Sequence, residues 1–224
     1  MNTDTKKPYV LVTDFDGTIT KEDFFWLVVE RLLRKEDIQP WNDFLAGKVT
    51  HFDALNGIFQ KIRLSEEDLH RFILDIPFEN CFLEAVSWCK SHNIPIYIAS
   101  AGADYYIKLM LEKAGIINDV NLIANGSVYA PDTGLTMIAP PESSPYYSHN
   151  YGVNKAEVVK SLKNNYKTVI FAGDGTPDYY AARHADVVFA RKAMLGLCKE
   201  NGLACRELTS YCDVLEYLQA IDLG

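Results

Sequence analysis

The run Tyr9-Val10-Leu11-Val12-Thr13 carries β-branched residues with almost no polar interruption. A strand with one wet face would alternate, so this run predicts a strand covered on both faces, as in a parallel sheet. Four later runs share its character: Ile94-Pro95-Ile96-Tyr97-Ile98-Ala99-Ser100, Val120 to Ala124, Thr168-Val169-Ile170-Phe171-Ala172-Gly173, and Asp186 to Ala190. Between the first two runs the apolar spacing becomes helical. Phe24, Phe25, Leu27, Val28, Leu32 and Leu33 give one face; Thr50 opens a second helix with Leu55, Ile58, Phe59 and Ile62. Ser65 with Asp68 three residues on resembles a capping box for a third helix, which carries Leu69, Phe72, Ile73 and Ile76.

A helix with Phe82, Val86 and Cys89 precedes the second strand, and Asp104 is expected to cap a helix ending at Gly115. Pro131-Asp132-Thr133-Gly134 reads as the turn of a small antiparallel ribbon, and the Pro/Ser/Tyr-rich stretch from Pro140 to Tyr151 as a loop. Asn154 caps a helix with Lys155 in its first turn, and Val214, Leu215 and Leu218 mark a closing helix. Alternating strands and helices predict an α/β fold, a doubly wound parallel sheet. With the first strand central, strands two and three lie on one side and four and five on the other. The expected organisation is a Rossmann-like core of residues 1–22 and 81–224, with an inserted helical cap of residues 23–80 packed on itself and free to cover the site. The switch point between strands one and four then brings Asp14 and Asp174 face to face.

Composition narrows the field. The 224 residues are 48% hydrophobic and 23% charged, ordinary for a chain with a packed core. A net charge of -8 argues against a nucleic-acid surface, and no run approaches the roughly 18 apolar residues of a membrane span, so small soluble partners are expected. The stretch Met1 to Pro8 has no apolar segment of the secretory type. Five cysteines without a C-x-x-C pair predict reduced thiols rather than disulfides or zinc, and with them a cytoplasmic location.

The chemistry starts where the first strand leaves the core, at Asp14-Phe15-Asp16-Gly17-Thr18. Ser100 ends the second strand, Lys155 opens a helix, and Gly173-Asp174-Gly175-Thr176-Pro177-Asp178 follows the fourth strand. These four motifs, in this order and over most of the chain, resemble those of the haloacid dehalogenase superfamily of aspartate-nucleophile phosphatases. The helical insertion is similar to the cap of its phosphoserine phosphatase-like branch.

That resemblance implies a phosphoric monoester hydrolase. Asp14 would form an aspartyl-phosphate, and Asp16 would act as general acid and then general base. Mg²⁺ would be held by the Asp14 side chain, the Asp16 backbone carbonyl and Asp174, with Asp178 in an outer position. Ser100, the Ala101 N–H and Lys155 would hold the phosphate, with Thr18 supporting the first turn. The substrate would be a small phosphorylated metabolite, with neither nucleic acid nor membrane as partner.

Asp23 stands where phosphoserine phosphatases carry an acidic residue that contacts the substrate amine; its structural reading is an N3 partner of Thr20. Ile58 falls where that family has a carboxylate-binding arginine, with Arg63 nearby. Asp16-Gly17-Thr18-Ile19-Thr20, Asp23 and Phe189-Ala190-Arg191 look most like the 2-hydroxy-3-keto-5-methylthiopentenyl-1-phosphate phosphatases. The aromatics Phe24, Phe25, Trp26, Tyr105, Tyr146, Tyr147 and Tyr151 flank the motifs and would suit an aromatic or quaternary-ammonium leaving group. Phosphoserine, phosphocholine, phosphoethanolamine, pyridoxal phosphate and thiamine phosphate stay open as substrates, as do phosphotransfer to a hydroxyl and a non-catalytic sensor.

Overall fold

The computed structural model describes residues 7–221; the terminal residues 1–6, on which the absence of a leader was read, lie outside them. The first half comprises β1 (Lys7–Thr13), α1 (Phe24–Arg31), α2 (Gln39–Leu45), α3 (His51–Phe59), α4 (Glu66–Leu74), α5 (Phe82–Ser91), β2 (Ile96–Ala103) and α6 (Asp104–Lys113). Then follow β3 (Asn121–Ala130), β4 (Gly134–Ile138), β5 (Tyr147–Ser148), β6 (Gly152–Val153), α7 (Lys155–Lys163) and β7 (Tyr166–Gly173). The chain closes with α8 (Thr176–Ala182), β8 (Val187–Ala190), α9 (Lys192–Glu200), β9 (Arg206–Glu207) and α10 (Cys212–Ala220).

The main sheet runs β4-β3-β2-β1-β7-β8-β9, with β1 flanked by parallel neighbours on both sides. Its side chains feed two cores. Leu11 packs in the cluster that contains Val86 of α5 and Val214 and Leu218 of α10, while Val10 and Val12 join Val158, Val159, Ala181 and Met194 on the opposite face. The period of two, with both faces covered, is why the strand reads as unbroken hydrophobicity.

The predicted third strand and the first arm of the ribbon are one continuous strand. β3 pairs parallel with β2 through Asn121–Ile123 and antiparallel with β4 from Gly126 to Ala130. The stretch read as a loop contains β5, which pairs with β6 just before Lys155. α2, α9 and β9 come in addition to the expected elements. α2 has no buried residue and so no stripe to read, and β9 is two exposed residues long. Asp104 is the first residue of α6 rather than its cap, and binds Ser127 Oγ at 2.7 Å.

The segments that leave and re-enter the sheet around α1–α4 are bonded to each other, Lys21 N–H to Pro77 O at 3.0 Å and Glu79 N–H to Ile19 O at 2.7 Å. The helices are also tied to the core, beyond the self-packing that was expected. Asn150 caps α3 twice, its side-chain oxygen accepting from His51 N–H at 3.1 Å and its carbonyl from Phe52 N–H at 2.8 Å. Asn56 Oδ1 accepts from Met137 N–H of β4 at 2.9 Å, and His70 meets Tyr105 OH at 2.8 Å.

The cysteine expectation is corrected. Cys81 and Cys212 form a disulfide, their Cα atoms 4.9 Å apart although 131 positions separate them in the chain. The starts of α5 and α10 pack together there, with Phe82 edge-on to Tyr211 at 5.1 Å. Cys89, Cys198 and Cys205 are free thiols. Among the described residues, no helix is long and apolar enough to cross a membrane.

Candidate active site

Asp14 leaves β1 with its N–H bonded to Ala172 O of β7 at 2.9 Å, and its side chain is buried. The chain then turns tightly. Phe15, anchored in the core, accepts from the N–H groups of Thr18, Ile19 and Thr20 at 3.3, 2.9 and 3.1 Å. Gly17 makes the turn possible: its φ is +68°, and a Cβ there would meet Asp174 Oδ2 at 2.4 Å and Lys192 Nζ at 2.6 Å. Thr20 Oγ1 accepts from Gly17 N–H at 3.1 Å.

The two aspartates at this turn face different ways. Asp14 Oδ1 accepts from Lys155 Nζ at 2.5 Å, and the same ammonium donates to Asp178 Oδ1 at 2.7 Å. All three side chains are nearly sealed from solvent. Asp16 instead turns toward α1 and α6, its Oδ1 accepting from Phe24 N–H at 3.1 Å and its Oδ2 from Tyr106 OH at 2.5 Å. Asp178 reaches back from the third position of α8 to accept from Gly175 N–H at 2.9 Å, so it caps a helix and holds the lysine together.

Electrostatics follow the geometry. Asp14 is held above the usual carboxylate range by burial and by the nearby Asp178, with Lys155 pulling the other way. Burial alone would lower Lys155, but Asp14 and Asp178 overturn that and keep the ammonium charged. Asp16 is pushed up to about 7 by burial and then by Asp23, against the hydrogen bonds from Tyr106 and Phe24. Asp174 is raised by burial and Asp178, with Lys192 Nζ 2.8 Å from its Oδ2 opposing the shift.

Asp14, Asp174 and Asp178 each present a carboxylate oxygen within 4.8 Å of the others. This all-oxygen, highly anionic donor set fits a hard divalent cation such as Mg²⁺ better than a thiolate- or imidazole-seeking metal. Ser100 is buried within β2, in the irregular stretch after Ala99 rather than at the strand end expected from the sequence, its Oγ accepting from Gly102 N–H at 3.0 Å, and Ala101 faces the same cavity. Thr18 is buried and does not line it.

The cavity is about 180 Å³ in volume. Its carboxylates share the lining with Phe25, Trp26, Trp41, Leu55 and Phe59. Phe25 and Trp41 meet at 4.5 Å between ring centroids, and His51 and Tyr151 at 5.2 Å continue the aromatic wall toward the core. His51 is lowered to about 4 by burial and by Lys155 and so is neutral there. Among the lining residues only Lys155 carries positive charge. Arg63 is turned away onto the carbonyls of Gln60 and Ile62, and Ile58 is core.

Asp23 lines the cavity and is itself the N-cap of α1, accepting from Phe25 N–H at 2.8 Å, rather than the N3 partner of Thr20. Of the flanking aromatics, Phe25 and Trp26 line the cavity. Phe24 is core, Tyr105 contacts His70, and Tyr146 contacts Ser161. The residues missed from sequence include Tyr106, Trp41, His51 and Lys192. Tyr106 directly follows Tyr105, so helical phase was the signal that would have separated them; Lys192 is reached only through the fold.

A family model described as haloacid dehalogenase-like hydrolase matches residues 11–183. A protein named 2-hydroxy-3-keto-5-methylthiopentenyl-1-phosphate phosphatase from Bacillus pumilus is 28% identical over 211 residues, covering 93% of this chain and 90% of the relative. The protein of that name from Geobacillus thermodenitrificans is 28% identical over 222 residues, covering 97% and 99%. Among solved structures, a phospho-aspartyl intermediate analogue of phosphoserine phosphatase superposes with a TM-score of 0.67 at 20% identity, covering 95% of this chain and 99% of that one.

Proposed function

The chain belongs to the haloacid dehalogenase-like hydrolases and, with its named relatives, is a phosphatase of small phosphorylated metabolites; we propose that it works through an aspartyl-phosphate on Asp14, with residues 23–80 as a cap over the site. The observation that carries this reading is the divergence of two carboxylates at one strand end. Asp14 faces Lys155 and the carboxylates of Asp174 and Asp178, while Asp16 faces Tyr106 and the start of α1.

A phosphate monoester is a dianion that repels a carboxylate nucleophile, so fixed positive charge must surround the attacking oxygen. Lys155, locked between Asp14 and Asp178, supplies part of it. Asp14, Asp174 and Asp178, with the Asp16 carbonyl, would hold Mg²⁺, which when bound supplies further positive charge against the phosphoryl oxygens. An Asp14 oxygen bonds to phosphorus as the bond to the leaving oxygen breaks, and Asp16 gives that oxygen its proton. Asp16, now a carboxylate, takes a proton from the water that attacks phosphorus, and inorganic phosphate leaves with Asp14 restored. A carboxyl held near neutrality can serve in both steps at ordinary pH. The Ser100 hydroxyl and Ala101 N–H hold phosphoryl oxygens, and Thr18 joins the turn through its backbone N–H to Phe15 O.

The names of the relatives and the aromatic wall together support 2-hydroxy-3-keto-5-methylthiopentenyl-1-phosphate as the substrate. Its leaving group is neutral and ends in a thioether, which packs well on aromatic rings. The absence of a second cation among the lining residues counts against a substrate carboxylate such as that of phosphoserine. A second reading, an amine-bearing leaving group such as that of phosphocholine or phosphoethanolamine, is favoured by Asp23 beside the rings. Phosphate release from a panel of these esters, with and without Mg²⁺ and with Asp14→Asn as control, tests the proposal. Metal-dependent turnover that Asp14→Asn abolishes is expected, with phosphoserine the poorest substrate. Turnover that survives Asp14→Asn refutes it.

A further inference from the structure

We propose that Tyr106 is the positioning residue of the acid–base step, its hydroxyl fixing the plane of the Asp16 carboxyl and bonding the oxygen opposite the one that releases the proton. The inference rests on the reading of Asp16 as the general acid. Asp16 is held at two points from two different parts of the molecule. Phe24 N–H, at the entrance to α1, holds Oδ1 at 3.1 Å, and Tyr106 OH, on α6 of the core, holds Oδ2 at 2.5 Å. Without the second hold, the carboxyl plane is free to swing about a soft torsion, and a general acid acts only within hydrogen-bond reach of the leaving oxygen.

The surroundings are shaped for this contact. Tyr106 is fully buried, and its ring stacks on Phe24 at 4.2 Å with 24° between planes, so the hydroxyl has little freedom. Phe15 and Phe59 flank the same ring at 6.1 and 6.4 Å. Gly102 leaves the room: a Cβ there would meet Tyr106 OH at 2.0 Å and Asp16 Oδ2 at 3.1 Å. The neighbouring Tyr105 points instead to His70, so only one of the paired tyrosines faces the site.

The chemistry balances simply. The phosphorus bond to the leaving oxygen breaks, the Asp16 proton passes to that oxygen, and the new carboxylate keeps the Tyr106 hydrogen bond, which strengthens as charge develops on its acceptor. Tyr106 gives up no proton. It never touches phosphorus, and its effect must scale with how much the leaving oxygen needs protonation.

The test is kcat/KM, which reports the steps through formation of the phosphoenzyme, measured with an alkyl phosphate and with nitrophenyl phosphate, whose leaving group departs without an acid. Tyr106→Phe keeps the ring and removes only the hydroxyl. Its loss on the alkyl ester is expected to exceed its loss on the nitrophenyl ester by about tenfold, a fraction of what general acid catalysis contributes. Gly102→Ala, which displaces the hydroxyl without removing it, is expected to show the same ratio. Asp16→Asn on the same pair separates the two claims. A leaving-group-dependent loss in Asp16→Asn with equal losses on both esters in Tyr106→Phe overturns the role of Tyr106. A leaving-group-independent loss in Asp16→Asn overturns the reading of Asp16 itself.

Discussion

Replacing Lys155 by methionine keeps the unbranched apolar stem, one atom shorter, and removes the one cation that Asp14 and Asp178 share. The ammonium lies 2.5 Å from one carboxylate and 2.7 Å from the other, and no member of the triad has more than 7% of its side chain exposed. Breaking a buried pair of this kind costs about 3–5 kcal/mol, because uncompensated charge is left in a medium that solvates it poorly. The cost should depend on pH. Asp14 already sits above the usual carboxylate range and rises further without the lysine, so the folded variant binds more protons than the unfolded chain. Its stability is therefore fully present at low pH and lost as pH rises through the raised value. Urea unfolding in the presence of a chelator, at about pH 5 and about pH 8, reads both quantities. The expected result is a lowered midpoint with a larger deficit at the higher pH. A deficit below about 1 kcal/mol, or one equal at both pH values, would refute the reasoning.

His51, lowered to about 4, must charge on unfolding, so it makes folding less favourable as pH falls from about 6.5 to about 4, by up to about 3 kcal/mol. His51→Phe should flatten that limb of the stability–pH curve, and an unchanged limb would contradict the burial argument. Asn150→Ala removes the side-chain acceptor that supplements the Thr50 cap of α3 and should cost about 1 kcal/mol, with faster amide exchange at His51 but not in α10; unchanged exchange at His51 would contradict the latch. Reduction of the Cys81–Cys212 bond, or Cys81→Ser, should lower stability by about 2–5 kcal/mol given the long loop it closes. A melting temperature indifferent to reductant would show that the bond does not form.

The strand order was legible because each buried strand announces itself as an unbroken apolar run, and right-handed crossovers leave few ways to arrange five of them. The motifs were legible because Asp14 and Asp174 directly follow long apolar strands, Ser100 is the first polar side chain after the run Ile98-Ala99, and Lys155 follows the helix-capping Asn154. What stayed hidden depended on phase or on distance along the chain. Tyr105 and Tyr106 are equivalent in composition, and only the turn of α6 sends one to His70 and the other to Asp16. Cys81 and Cys212 meet because α5 and α10 pack on the same face of the sheet. Asp23 lines the cavity but stands three positions from its expected place in the helix, since the sequence does not say whether Thr20 or Asp23 begins the helical backbone. Thr20 instead spends its hydroxyl on the turn, where it bonds Gly17 N–H and Glu22 O.

The central claim is that Asp14 carries the phosphoryl group between two steps. Asp16→Asn provides the condition to see it, because a good leaving group still departs while the base that activates water is missing. Rapid mixing of that variant with nitrophenyl phosphate and Mg²⁺, acid quenching and peptide mass spectrometry should give a stoichiometric burst of nitrophenol and phosphate on the peptide containing Asp14. Nitrophenol release without a burst, or phosphate on any other residue, would contradict the account.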